Sequence, residues 1–485
     1  MGVYRWIMVS FVLIFLAGCT MSEEEKTQYL IGHQSLETSV AKSLETSFFT
    51  VGQWPEAKWW EVFGSERLNS LMEVALDQNP TLQNVEQRVE LAKQEAMIAR
   101  SKLLPLLFFN GSDNWAYLSK NGLYKAFNPS LPRNAYDVDL TLAFTYEFDF
   151  WSKYRNRFRA AIGRQKAEEA QQAQVELIVT TSVAQAYFAL KTNLIKSRLL
   201  RELFAAQKGI LGLQNSLLKN ALYSKIPVYL AKENVLEVEK QIEAVEEEIA
   251  TDRHLLNILV GQGPDTKLDV DTALPPLPKS IVIPETLSAE LLSRRPDLMA
   301  SIWRVEAWAH EVGAARAEYL PNINLAANLG VESVTWKKLF YSSSITPGIL
   351  PSFSLPVYTA DEIQANIDAK LAEFYAALQD YNDLVLKSAA EVADMLVISK
   401  SIFAQHEDQV EIVACAKSRY ELIQLRQKKG LDNSLQNYAL QIEVLQKQLD
   451  DIDLIFGQYL TTVKLIKSLG GGYFSDFVPI SKGCS

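Results

Sequence analysis

The chain has 485 residues, 48% of them hydrophobic, and a formal net charge of −10. That balance, with no basic run of five or more, excludes a nucleic-acid partner, because such a protein needs a cationic surface to meet the phosphates. The three cysteines and four histidines are too scattered for a disulfide framework or a metal site, and no phosphate-binding glycine loop or nucleophile elbow occurs, so no cofactor, metal or enzyme chemistry is expected.

Residues 1–18 read as a processing segment, with Arg5 ahead of the uncharged run Trp6 to Leu16. That run is too short to span a hydrocarbon core of about 30 Å as a helix. It closes in Leu16-Ala17-Gly18-Cys19, which resembles a bacterial lipobox. A diacylglycerol thioether on the Cys19 thiol and a palmitate-type acyl chain on the amine freed by cleavage before Cys19 would make a multi-chain anchor in membrane lipid. Thr20 stands where the inner-membrane retention signal of bacterial lipoproteins has Asp, so that resemblance points to the outer membrane. Residues 19–65 are expected to form an extended, lipidated N-terminal segment.

A helix is expected from Glu66 to Lys102, opened by Ser65 as N-cap and stopped by Pro105, with a strand from Leu106 to Tyr117 after it. The strongest strand pattern follows. Val138, Leu140, Leu142, Phe144, Tyr146, Phe148 and Phe150 alternate with Asp139, Thr141, Ala143, Thr145, Glu147 and Asp149 over thirteen residues. At ~3.3 Å per residue and ~40° of tilt such a strand rises about 33 Å, the thickness of a bilayer core. Soluble strands usually stop at about five or six residues. The apolar set is therefore expected to face lipid and the polar set a watery lumen.

The plan then repeats. Asn79-Pro80-Thr81-Leu82 matches Arg295-Pro296-Asp297-Leu298 at an offset of 216, and Leu104-Pro105 matches Leu320-Pro321 at the same offset. Val260-Gly261 matches Leu469-Gly470 at an offset of 209. Two repeats, 66–261 and 286–469, are expected on either side of a Pro-rich linker, 262–285, with a tail at 470–485. Each reads helix, strand, strand, long helix, long helix. In the second, Ile323, Leu325, Ala327, Leu329 and Val331 mark one strand and Ile349, Phe353, Leu355 and Val357 another.

The remaining segments carry coiled-coil seams. Leu435, Tyr438, Ile442, Leu445, Leu449, Ile452, Phe456, Tyr459, Val463 and Ile466 are spaced 3-4-3-4. Val228 to Leu259 and Leu371 to Val385 behave alike, with one polar lapse at Asp252. Lys153–Lys219 and Ala360–Lys429 contain no proline, and each can reach about 100 Å as a helix. The residues thus describe a mixed fold, a coiled-coil helical part plus a membrane β-part of four strands per chain. Four strands cannot close in lipid, since open edges leave backbone groups unpaired at several kcal/mol each. Closure needs about eight strands or more, so two or three chains must share one barrel.

Trp59-Trp60-Glu61-Val62-Phe63-Gly64, Tyr146-Glu147-Phe148-Asp149-Phe150-Trp151, Arg294-Arg295-Pro296-Asp297-Leu298 and Leu469-Gly470-Gly471-Gly472-Tyr473 together resemble the TolC-like outer-membrane factors, in their NodT-like lipoprotein branch. The resemblance implies a homotrimer with a twelve-stranded barrel in the outer membrane and a twelve-helix periplasmic tunnel. It implies a periplasmic adaptor protein and an inner-membrane transporter, proton-driven, as partners in the export of small molecules. A protein-secretion conduit and a structural coiled-coil envelope protein are the alternatives. The tunnel's closed tip would lie near Ala221 to Ile226 and Gly430 to Asn433, with Asp432, Gln436 and Asn437 as gate candidates. Here the chain departs from the pattern of the family it resembles, because Tyr438-Ala439-Leu440 stands where that family commonly has Leu-Asp-Ala, which removes the carboxylate the resemblance associates with the constriction.

Overall fold

The computed structural model describes residues 30–31, 35–220, 224–267, 270–277, 281–285 and 287–475. The expected signal peptide, Cys19, Cys484 and residues 221–223 lie outside them. In chain order the elements are α1 (Glu37–Leu44), β1 (Phe49–Gly52), a 3-10 turn (Trp59–Phe63), α2 (Glu66–Gln78), α3 (Pro80–Ser101), β2 (Leu106–Tyr117), α4 (Leu123–Phe127) and β3 (Asn134–Phe148). There follow α5 (Lys153–Lys219), α6 (Ile226–Leu259), β4 (Ile281–Pro284), α7 (Leu287–Arg294), α8 (Pro296–Arg316), β5 (Asn322–Ser333), β6 (Ile345–Ser354), α9 (Glu362–Lys428) and α10 (Ser434–Ser468), with three short 3-10 turns between α8 and β6. Among the described residues no helix is long and apolar enough to cross a membrane.

Three expectations need correction. The helix expected from Glu66 to Lys102 is two helices. Asn79 between them has extended backbone, φ −69° and ψ 119°, because the ring of Pro80 disfavours a helical residue before it. The Asn79 side chain then caps α3, its Oδ1 accepting from Thr81 N at 2.8 Å. Residues 19–65 are not extended throughout, since they contain α1, β1 and the 3-10 turn. The linker 262–285 ends as strand β4, which pairs in parallel with β1 from Phe49↔Ile281 to Gly52↔Pro284.

The chain divides into two compact units. One gathers Ile31–Arg88, Glu168–Ala300 and the chain from Tyr381 onward. Its core is aromatic. Trp59, Trp60 and Phe63 are buried with Leu68, Met72, Tyr187, Phe188 and Tyr459, and the Phe188 and Tyr459 rings stack at 4.2 Å. Burial of this kind is worth ~1.5–3 kcal/mol for a large apolar side chain, which accounts for the Trp-Trp motif ahead of α2. Contacts that tie the linker to this unit include the Lys191–Asp271 ion pair at 2.7 Å, the Tyr459 hydroxyl donating to the Pro275 carbonyl, and Asn257 Nδ2 donating to the Pro264 and Thr266 carbonyls at 2.7 and 2.9 Å. The seam lapse at Asp252 is answered from α5, where Asn193 Nδ2 donates to Asp252 Oδ2 at 2.9 Å.

The other unit contains Val89–Ala167 and Ser301–Asp380 and carries a four-stranded antiparallel sheet in the order β2-β3-β5-β6. Helices α5 and α9 run unbroken for 67 residues each, about 100 Å at the usual rise.

Candidate functional site

The sheet register decides which side chains share a face, because directly paired residues point the same way. Leu107↔Phe144, Phe109↔Leu142 and Trp115↔Tyr136 join β2 to β3. Phe148↔Ile323, Tyr146↔Leu325, Phe144↔Ala327, Leu142↔Leu329 and Leu140↔Val331 join β3 to β5. Ile323↔Phe353, Ala327↔Ile349 and Val331↔Ile345 carry the same set onto β6. Val138, Leu140, Leu142, Phe144, Tyr146 and Phe148 thus lie at the centre of one apolar face four strands wide. Phe109, Ile349 and Phe353 on it are 72, 77 and 78% exposed, so over most of its area this face covers no core within the chain; Val138, expected to face lipid, is the exception and is fully buried.

The opposite face carries Asn110, Ser112, Thr141, Thr145, Glu147, Asn324 and Asn328. Leu106, Phe108 and Leu350 are its apolar exceptions. β6 contains Pro347 and Pro351, tolerable because it is an edge strand of this sheet. It ends at Ser354, so Leu355 and Val357 lie beyond it.

Phe150 also falls outside its expected strand. β3 stops at Phe148 because Asp149 turns the chain into α5, its Oδ1 accepting from Tyr154 N at 3.0 Å and its Oδ2 from Arg155 N at 2.9 Å. Ser152 takes φ 61° in that turn. The Phe150 ring still stacks on Phe148 at 5.5 Å, beside the Tyr146–Phe148 edge contact at 4.9 Å. An aromatic cluster therefore ends the apolar face at its helix-bearing end.

The second candidate region is the turn between α9 and α10. Leu431 N donates to Arg426 O at 3.0 Å and Gly430 N to Gln427 O at 2.9 Å, with Gly430 at φ 71°. This is the Schellman pattern, in which the left-handed residue is normally Gly. Asn433 then caps α10, its Oδ1 accepting from Gln436 N at 2.9 Å.

The structure separates the three gate candidates. Asp432 is bound by Arg426, whose Nε donates to Oδ2 and whose Nη2 reaches Oδ1 at 3.4 Å. The Asp432 hydrogen bond, reinforced by its charge, raises the Arg426 pKa. Gln436 is exposed, and Asn437 is half-buried with its Oδ1 lacking a hydrogen-bond partner. No hydrogen bond joins the three to one another among the described residues. Arg426 was not among the expected residues. Its only trace in the sequence is a basic residue six positions before an acid, across a glycine.

The replaced tip motif has its own structural counterpart. The Tyr438 ring lies where a side chain on Gly209 of α5 would sit, 2.5 Å from an added Cβ. Ala439, at the site where the resemblance leads one to expect an acid, is exposed. Among the described residues no cluster of His, Cys, Asp and Glu has the makings of a metal site.

The chain matches the family model described as "Outer membrane efflux protein" over residues 71–262 and 287–471. It is 27% identical over 465 residues to the multidrug resistance outer membrane protein MdtP of Escherichia coli K12, covering 94% of each chain. The solved outer membrane protein VceC of Vibrio cholerae is 27% identical, with a TM-score of 0.76 over 86% of this chain and 100% of that one. The outer-membrane channel OprN, 21% identical, shares the fold at a TM-score of 0.80 over 91% of this chain and 97% of its own.

Proposed function

The chain belongs to the outer membrane efflux protein family, and from that premise we propose that three copies close one barrel of twelve strands, four from each, around a lumen for exported small molecules. It is an outer-membrane channel subunit of an efflux system. One observation carries the assembly: the sheet β2-β3-β5-β6 has an apolar face suited to lipid and two open edges, β2 and β6. Unpaired edges are not tolerated in hydrocarbon, so β6 of one copy meets β2 of the next. Two copies would give eight strands, whose interior side chains fill it; three leave room for solute.

In this reading Leu140, Leu142, Phe144, Tyr146 and Phe148 contact lipid, Val138 being fully buried within the chain, and the Thr141–Glu147 face lines the lumen. The repeats 66–261 and 286–469 contribute two strands each. Cys19 carries the acyl anchor, and the α9–α10 turn forms part of the periplasmic closure. An adaptor protein and a proton-driven inner-membrane transporter complete the pathway.

The test joins native mass spectrometry with planar-bilayer recording of the purified chain. Trimers with stepwise conductance are expected. A monomer, or a trimer that inserts without conducting, would overturn the proposal.

A further inference from the structure

We infer that the sheet end remote from the long helices binds the phosphate-bearing headgroups of outer-leaflet lipid, an inference that rests on the barrel reading above. β2 ends at Tyr117 and β3 begins at Asn134, while β5 ends at Ser333 and β6 begins at Ile345. The antiparallel register therefore brings the loops 118–133 and 334–344 to the same end of the sheet. Helices α3, α5, α8 and α9 all connect at the other end.

These two loops depart from the rest of the molecule in charge. The chain as a whole carries −10, yet loop 118–133 has Lys120, Lys125 and Arg133 with no acid, and loop 334–344 has Lys337 and Lys338 with no acid. Lys120, Lys337 and Lys338 form no ion pair among the described residues. Lys125 turns inward, donating to the Pro129 carbonyl at 2.8 Å and to that of Leu131, so it shapes its loop and adds only its charge.

Two contacts fix the side of the sheet on which this cationic rim lies. The Arg133 guanidinium stacks on the Tyr117 ring at 4.2 Å. The Trp336 indole N–H donates to Asp113 Oδ2 at 3.2 Å. Tyr117 and Asp113 both belong to the apolar face by register, Asp113 standing opposite Val138. The rim thus borders the lipid-facing side. Leu123, Tyr124 and Phe127 on α4 and Phe340 and Tyr341 in the second loop add exposed apolar side chains. Lysine and arginine beside aromatic side chains, at the edge of a membrane-spanning face, match an anionic headgroup layer in both charge and polarity. By register Asp137, Asp139 and Glu332 near this end lie on the opposite face, so on the lipid-facing side the positive charge of the loops meets only Asp113.

The experiment uses the full-length protein in detergent and counts bound lipid by native mass spectrometry. The probes are bis-phosphorylated lipid A, the same lipid A with both phosphates removed, and phosphatidylcholine. Phosphorylated lipid A should bind best and weaken as salt is raised. Each basic group beside an anionic surface is worth about a fivefold change in binding. The triple variant Lys120→Gln, Lys337→Gln, Lys338→Gln should therefore lose more than about tenfold of that preference, while Lys102→Gln with Arg159→Gln, at the other end, should keep it.

Equal binding of phosphorylated and dephosphorylated lipid A, or equal loss in both sets of variants, overturns the inference. Should the triple variant fail to assemble, Arg133→Gln and the salt dependence of the parent decide in its place. A parent that conducts but shows no phosphate preference overturns this inference alone, whereas a parent that never forms a channel overturns the barrel reading.

Discussion

Asn79 Nδ2 donates to the Leu259 carbonyl at 2.8 Å, joining the α2–α3 break to the end of α6. The contact recurs in the second half. Arg295, 216 residues after Asn79, donates through Nη1 to the Ser468 carbonyl at 3.0 Å, 209 residues after Leu259. Both helix ends close as Schellman turns, at Gly261 with φ 76° and Gly470 with φ 90°. An added Cβ would lie 2.4 Å from the Gln78 carbonyl oxygen at Gly261 and 1.9 Å from that of Arg294 at Gly470. The duplication therefore extends from sequence to individual hydrogen bonds. Arg295 differs from Asn79 in its charge. It is buried, and although burial opposes its ionisation, Asp297 at 2.7 Å and Glu391 at 2.8 Å hold its pKa raised.

The first prediction follows from these closures. Gly261→Ala and Gly470→Ala each place a Cβ against a backbone oxygen at a left-handed position, and each should destabilise the helical unit by about 1–3 kcal/mol or more. Asn79→Ala removes a cap and a cross-helix donor and should lose ~1–2 kcal/mol. Chemical denaturation followed by circular dichroism checks all three. Parent-like midpoints in both glycine variants would contradict the packing described.

The sheet's facing gives the second. Phe144→Lys would put a charge near the membrane midplane at a cost of about 2–4 kcal/mol per chain, whereas Thr145→Lys would enter the lumen and cost far less. The measurement is the yield of assembled trimer in the outer membrane. Equal losses in the two variants would refute the assignment of faces.

The alternation itself was legible because an apolar and a polar face impose a period of two, which Val138 to Phe148 display openly. The pairing that turns four such strands into one apolar face was not, since it depends on register between residues such as Leu142 and Leu329. The break at Asn79 was hidden because Pro80 suits the first turn of a helix, so the apolar period runs on through it. The Arg426–Asp432 pair and the Trp336–Asp113 contact carry no periodic signal. They arise from a left-handed turn in one case and from a loop folding back on a strand in the other.

The anchor supplies the third prediction. The N-terminal peptide of protein purified from membranes should begin at Cys19 and carry a multi-acyl mass. An unmodified peptide beginning elsewhere in mass spectrometry would remove the lipoprotein assignment.

Asp252 gives a pH-dependent prediction. Burial raises its pKa, the Asn193 hydrogen bond opposes that, and the charge of Glu248 adds to it. The folded state thus holds the proton more tightly than the unfolded one. Stability from this group is full below the ordinary Asp range, declines as pH rises through the raised value, and is level above it. Asp252→Asn should therefore melt above the parent at pH 7, with the difference fading near pH 4 and below. A variant that melts below the parent by the same margin at both pH values would show that the hydrogen bond outweighs burial.

The last prediction concerns the α9–α10 turn. A resting tunnel must be shut, and three copies of one turn around an axis convert each side chain into a ring. This chain has Ala439 in α10, and the carboxylates nearest it in sequence, Glu443 and Asp432, are each occupied, by Arg419 and by Arg426. The Arg426–Asp432 pair presents little net charge, so a constriction built at this turn would depend on neutral contacts, with Gln436 exposed and Asn437 Oδ1 without a hydrogen-bond partner. Removing either partner of the ion pair exposes the other as a ring of three like charges. In planar-bilayer recordings of the purified trimer, Arg426→Ala should raise cation preference and Asp432→Ala should lower it. Gln436→Ala should raise resting conductance without shifting selectivity. If both charge variants select as the parent does, the turn lies away from the constriction, and the narrowest ring must be sought at other residues of the long helices.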